Sequence, residues 1–151
     1  MGLDNIPTYY ACKNQGTAII DVDGRIDCQL TQQKGCCPWK NELEKSNVTQ
    51  KVVLGIFGTD CWYRGKYAEA LTSEYDNAPH SFYGAIQSMD DDGNTEEGLS
   101  PDQCIELSEW MDEIYYDYGA DFDQEIADDW KYISWWLTFV ANNCDGFRSW
   151  Y

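Results

Sequence analysis

The chain has 151 residues, 43% hydrophobic, 25% charged and 15% aromatic, which fits one globular domain and excludes a disordered tail. Its net charge of −17 and pI near 4.1 disfavour nucleic acids and anionic membrane surfaces, both of which call for basic residues. The longest apolar run, residues 135–141, falls far short of the ~20 residues of a membrane span.

The start, MGLDNIPTYY, has neither a basic nor an apolar leader region, so it fits a cytosolic protein or a mature secreted chain behind an added Met1-Gly2. Residues 16–30 give the clearest local signal, two alternating runs around Asp23-Gly24. A two-residue loop would set Ile20 opposite Asp27 and mix the faces. A three-residue loop, Val22-Asp23-Gly24, pairs Ile20 with Ile26, Ala18 with Cys28 and Asp21 with Arg25, and it predicts a left-handed Gly24 with a bulge.

Pro38 opens a predicted helix over 38–46, with Trp39 and Leu43 on one side. Residues 50–57 read as a buried strand. Residues 65–75 read as a helix whose stripe is Tyr67, Ala70, Leu71 and Glu74, and 81–89 as a fourth strand. Residues 90–98 form an acidic loop. With Gly93 at the sixth position of a calcium loop, the first and twelfth ligands would be Ser88 and Leu99, so an EF-hand is excluded.

Ser100, Pro101 and Gln103 spell a capping box with proline at the first helical position. Leu107, Trp110, Met111, Ile114, Tyr115 and Tyr118 continue as one apolar stripe, and Gly119 stops it. A second helix follows with Phe122, Ile126, Trp130, Ile133, Leu137, Val140 and Cys144. Its acids sit early, where the helix dipole favours them. Strands first and helices last predict a single α+β domain over 1–151. It would hold about four strands in a mainly antiparallel sheet, packed by helices and stapled by disulfides.

The seven cysteines are Cys12, Cys28, Cys36, Cys37, Cys61, Cys104 and Cys144. None has the C-x-x-C spacing of a zinc or redox site, and His80 is the single histidine, so no metal and no cofactor is expected. Six of the seven are disulfide candidates, and the sequence leaves 105 pairing schemes open. Adjacent Cys36 and Cys37 diverge toward different partners. If the two C-terminal helices lie antiparallel about Gly119, Cys144 overshoots Cys104 by about 15 Å, which argues against that pair. Asn47 in the NVT tripeptide is a glycosylation acceptor, and with the cysteines it predicts a secreted, oxidised protein. Reduced cysteines in a cytosolic protein are the competing expectation.

Charge is split along the chain: residues 1–66 hold 7 acids against 8 bases, whereas 67–151 hold 20 acids against Lys131 and Arg148. Glu106 and Glu109 beside Trp110 are the candidate carboxylate pair of a glycosidase, read more simply as a solvated helix face. His80 reads as a surface histidine rather than a catalytic base. Tyr132, Trp135, Trp150 and Tyr151 lie off the core stripes and, with Trp62 and Arg64, are the candidate interface residues.

The length, the cysteines spread over 12–144 and the lack of a catalytic signature resemble small secreted cysteine-rich effectors of filamentous fungi. Within these the chain is similar to the avirulence and avirulence-suppressing LARS family. That family's Trp-Arg motif corresponds to CWYRGK at 61–66, where Tyr63 stands between Trp62 and Arg64. The resemblance implies four strands and several helices held by disulfides. It further implies a non-enzymatic virulence protein of the plant apoplast that binds a host protein or is recognised by an immune receptor. A secreted carbohydrate-binding module or small glycosidase is the alternative, which a concave cleft pairing an acid with an exposed tryptophan would favour.

Overall fold

A computed structural model describes residues 2–49 and 61–151. The predicted strand at 50–57 lies outside them. In chain order the elements are strand β1 (Asp4–Pro7), helices α1 (Ala11–Asn14), α2 (Cys28–Gln33) and α3 (Pro38–Lys45), strand β2 (Tyr63–Arg64), helix α4 (Gly65–Thr72), strands β3 (Ala85–Met89) and β4 (Thr95–Leu99), helix α5 (Pro101–Tyr118), a 3-10 turn (Gly119–Asp121), helix α6 (Gln124–Asn143) and strand β5 (Phe147–Trp150).

The class is α+β, with five described strands rather than four, ordered β2-β1-β5-β4-β3 and antiparallel throughout. Four of them, β1, β2, β4 and β5, fall where no strand is expected, and no disulfide joins any two cysteines. The predicted hairpin at 16–30 contracts to its tip. Ile20 bridges Ile26, the Asp21 amide donates to the Arg25 carbonyl at 2.8 Å, and Gly24 has φ of +81°. Beyond that bridge the pairing stops because Asp27 caps α2, its carboxylate accepting from the Leu30 amide at 2.9 Å. Cys28 therefore opens a helix and does not face Ala18.

The capping box at Ser100 and Gln103 is present, as is Pro38 at the start of α3. In α5, Leu107 and Met111 are buried and Trp110, Ile114 and Tyr115 half-buried, while Tyr118 is exposed. Helix α4 turns a different face inward: Gly65, Ala68 and Thr72 are buried, whereas Ala70 and Glu74 are exposed. The reason is local, since Gly65 lies so close to Asn5 and Leu3 of the first strand region that a Cβ there would collide with both side chains.

Helix α6 is the centre of the molecule. From Ala127 to Val140 its buried residues run round most of its circumference, so it packs on the sheet side, on α5 and on the N-terminal segments at once. Its buried indoles are satisfied, with Trp130 Nε1 donating to the Met111 carbonyl at 2.8 Å and Trp136 Nε1 to the Cys61 carbonyl at 2.9 Å. Tyr132, expected at the surface, is fully buried against Tyr63 because it sits on the inward side of α6, whose solvent stripe at that level is Asp128, Lys131 and Trp135. Among the described residues no helix is long and apolar enough to cross a membrane.

Candidate functional site

Four segments distant in sequence deliver cysteines to one cavity. Cys12 comes from α1, Cys28 from the first turn of α2, Cys37 from the N-cap of α3, and Cys61 from the residue just before Trp62; all four line the same space with Tyr10, Thr31 and Trp39. The cavity measures about 20 Å³, room for a single water and no substrate. Cys61 is held there in the left-handed region, φ +50°, with its carbonyl fixed by Trp136. A non-glycine residue kept in that conformation is over-determined by its surroundings.

Two further thiols extend the group. Cys104 in the first turn of α5 is completely buried, with Sγ 3.8 Å from the Leu99 carbonyl oxygen, and Cys144 ends α6. Burial, and then the neighbouring Cys144, Cys37, Cys28 and Cys12 thiols, push Cys61 far above an ordinary thiol. Burial first, then the neighbouring thiol, likewise lifts Cys104 and Cys144 to about 12. Such thiols stay protonated at neutral pH and are poor nucleophiles and poor metal ligands. Among the described residues no three Cys, His, Asp or Glu side chains converge to hold a metal ion. Cys36 stands apart: half-exposed, it points its Sγ toward the Lys34 carbonyl, 3.6 Å away. Cys37 lines the cavity and Cys36 does not, so the two adjacent side chains diverge, and neither is bonded to a partner cysteine.

In the structure the helix lengths count much less against pairing Cys104 with Cys144. The connection over 119–123 takes up five residues, so the overshoot of α6 is six residues, about 9 Å, rather than ten. The chain then doubles back: Leu99 pairs with Phe147, and Gly146 sits directly on the Leu99 carbonyl. This return carries Cys144 back to the start of α5.

The candidate catalytic groups do not assemble. Glu106 and Glu109 are exposed, and Glu106 takes up the single histidine, His80 Nε2 lying 3.2 Å from its Oε2. No acid pair shares an apolar pocket there. Among the described residues the one buried carboxylate is Asp129 of α6, which accepts from the Tyr67 hydroxyl at 2.6 Å. Its place among the helix's early acids hides it in sequence. A polar seam between α5 and α6 joins Ser108 Oγ to Ser134 Oγ and Thr138 Oγ1, each at 2.9 Å, and Ser134 Oγ donates to Asp112 at 2.6 Å. It has serine and carboxylate but no imidazole, so it lacks the base a nucleophile requires. In the acidic turn Asp90 spends its carboxylate on its own loop, accepting from the amides of Asp92 and Asn94 and from the Asn94 side chain. Those bonds hold its pKa below the usual carboxylate value.

What remains on the surface is one face of the sheet. Register puts Arg64, Asp4 and Trp150 in one row, and Ile6, Arg148 and Gly98 in the next. The opposite face, with Asn5, Tyr63, Phe147 and Leu99, is buried. Ile6, Tyr9, Arg148 and Trp150 line a shallow groove on the open face, and Arg148 pairs with Glu96 at 3.1 Å. Of the candidate interface residues, Arg64, Trp150 and Tyr151 are exposed, and Tyr151 meets Tyr83 edge-on at 5.6 Å. Trp62 is half-buried with its indole donating to the Tyr10 hydroxyl at 2.8 Å, and Trp135 is half-buried and stacked on Phe139. Asn47 is exposed just after α3.

Compared with models of known protein families, with curated proteins and with solved structures, the chain matches none.

Proposed function

We propose that this chain is a secreted, disulfide-stapled, non-enzymatic protein of the effector type, which acts by binding a host protein or by being recognised by a plant immune receptor. The observation that carries the reading is the gathering of Cys12, Cys28, Cys37 and Cys61 around a cavity too small for a ligand. Four segments that share no secondary structure bring a cysteine to one cavity, which suits covalent stapling in an oxidising compartment. The binding surface is the open sheet face, where Trp150 and Arg148 supply the aromatic and guanidinium groups that interfaces favour.

The deciding experiment is intact mass after alkylation, with and without prior reduction, on protein exported through an oxidising secretory pathway. One modified thiol before reduction and seven after supports the reading; seven before reduction removes its extracellular premise. For the surface, Trp150→Ala combined with Arg148→Ala should abolish capture of an apoplastic protein that the parent chain captures, with the melting temperature kept. Equal capture by both chains would exclude the sheet face.

A further inference from the structure

Resting on the oxidised reading, the geometry points to one pairing of six thiols, Cys12 with Cys37, Cys28 with Cys61 and Cys104 with Cys144, and it leaves Cys36 as the single thiol.

Cys104 settles the first bond. It is fully buried, and the thiol that acts on it is that of Cys144. The β4–β5 pairing at Leu99 and Phe147 and the seat of Gly146 on Leu99 fix the segment after α6 against the first turn of α5, where Cys104 lies. Cys144 also neighbours Cys12 and Cys61. Giving it to either would leave Cys104 a sealed thiol on the Leu99 carbonyl, 3.8 Å away, rather than a bridged one.

The remaining four are the cavity four. The Cys12 thiol is acted on by Cys37, and α1 packs on α3. That choice leaves Cys28 for Cys61, which face the same 20 Å³ space and lie within electrostatic reach of each other. Cys36 is excluded because its side chain turns out toward the Lys34 carbonyl and not into the cavity.

Each bond joins two Sγ atoms and releases two protons and two electrons. A disulfide oxidant such as oxidised glutathione accepts both electrons and both protons and leaves as two thiols. The product ties α1 to α3, the start of α2 to the residue before β2, and the start of α5 to the end of α6.

The test is proteolytic mapping without reduction, on the exported full chain, with electron-based fragmentation to separate Cys36 from Cys37. Linked peptides carrying Cys12–Cys37, Cys28–Cys61 and Cys104–Cys144, with Cys36 alkylated beforehand, are expected. Cys36→Ser should show no reactive thiol before reduction and six after. A Cys61–Cys144 or Cys12–Cys144 peptide, or Cys36 found in any bridge, would overturn the pairing while leaving the oxidised reading intact. Seven thiols reactive without reduction would overturn both, and the thiol count separates that failure from the other.

Discussion

Tyr67→Phe probes the contact between α4 and α6 at a single atom. The hydroxyl donates at 2.6 Å to Asp129, whose side chain is otherwise sealed in the core. Removing the donor takes away a charge-assisted hydrogen bond, about 1.5–3 kcal/mol. Tyr67 is itself half-exposed, so the entering phenyl ring costs little and water can replace part of the loss. The lower end, about 1.5–2 kcal/mol, is therefore expected. For a domain of this size that corresponds to a melting-temperature drop of roughly 3–8 °C. Urea unfolding of Tyr67→Phe, Asp129→Asn and the double variant measures it, since a cycle isolates the pair. The hydroxyl should be nearly silent in the Asp129→Asn background. The same background should lower the tyrosine's titration point, which burial and the hydrogen bond to Asp129 hold well above the ordinary phenol value. Equal losses in both backgrounds, or a single-variant loss below about 0.5 kcal/mol, would refute the claim that this bond holds α4 in place.

The reduced chain should weaken from about pH 9 upward. Cys61, Cys104 and Cys144 have raised folded values, so their contribution is complete below the ordinary thiol value and is lost as pH climbs toward 12. Oxidation removes that loss and leaves, among the described residues, the raised phenols Tyr63, Tyr132, Tyr67 and Tyr75, above about pH 10; denaturant midpoints across the range distinguish the two forms. Gly146→Ala should cost at least about 2 kcal/mol by chemical denaturation, because φ is +74° and the new Cβ would strike the Leu99 carbonyl. Ser100→Ala removes the cap that accepts from the Gln103 amide and should cost about 1 kcal/mol, with faster amide exchange in the first turn of α5.

The elements legible in the sequence are those whose signal is local. The capping box, Pro38 and the Val22-Asp23-Gly24 loop each depend on a few adjacent residues and appear as read. Strands β1, β2, β4 and β5 did not announce themselves, and β2 is only two residues long. DNIP carries Asn5 and Pro7, TEEGL sits in an acidic run, and FRSW is only four residues long. Their stability comes from the strand alongside, which propensity does not encode. Helix α6 showed its stripe, yet the burial of Tyr132 and Asp129 depends on what packs on the second face. The convergence of the thiols was equally out of reach, because spacing along the chain says nothing about which loops meet in space.

The pairing of β1 with β5, from Asp4 with Trp150 to Pro7 with Phe147, has a consequence for biosynthesis. Strand β1 meets β2 after about 60 residues, but its β5 neighbour lies about 140 residues along the chain, and closing so long a loop is slow. Until β5 is made, Ile6 and Pro7 have no strand to pair with. Because β5 lies between β1 and β4, both strands present an unpaired edge until β5 is made.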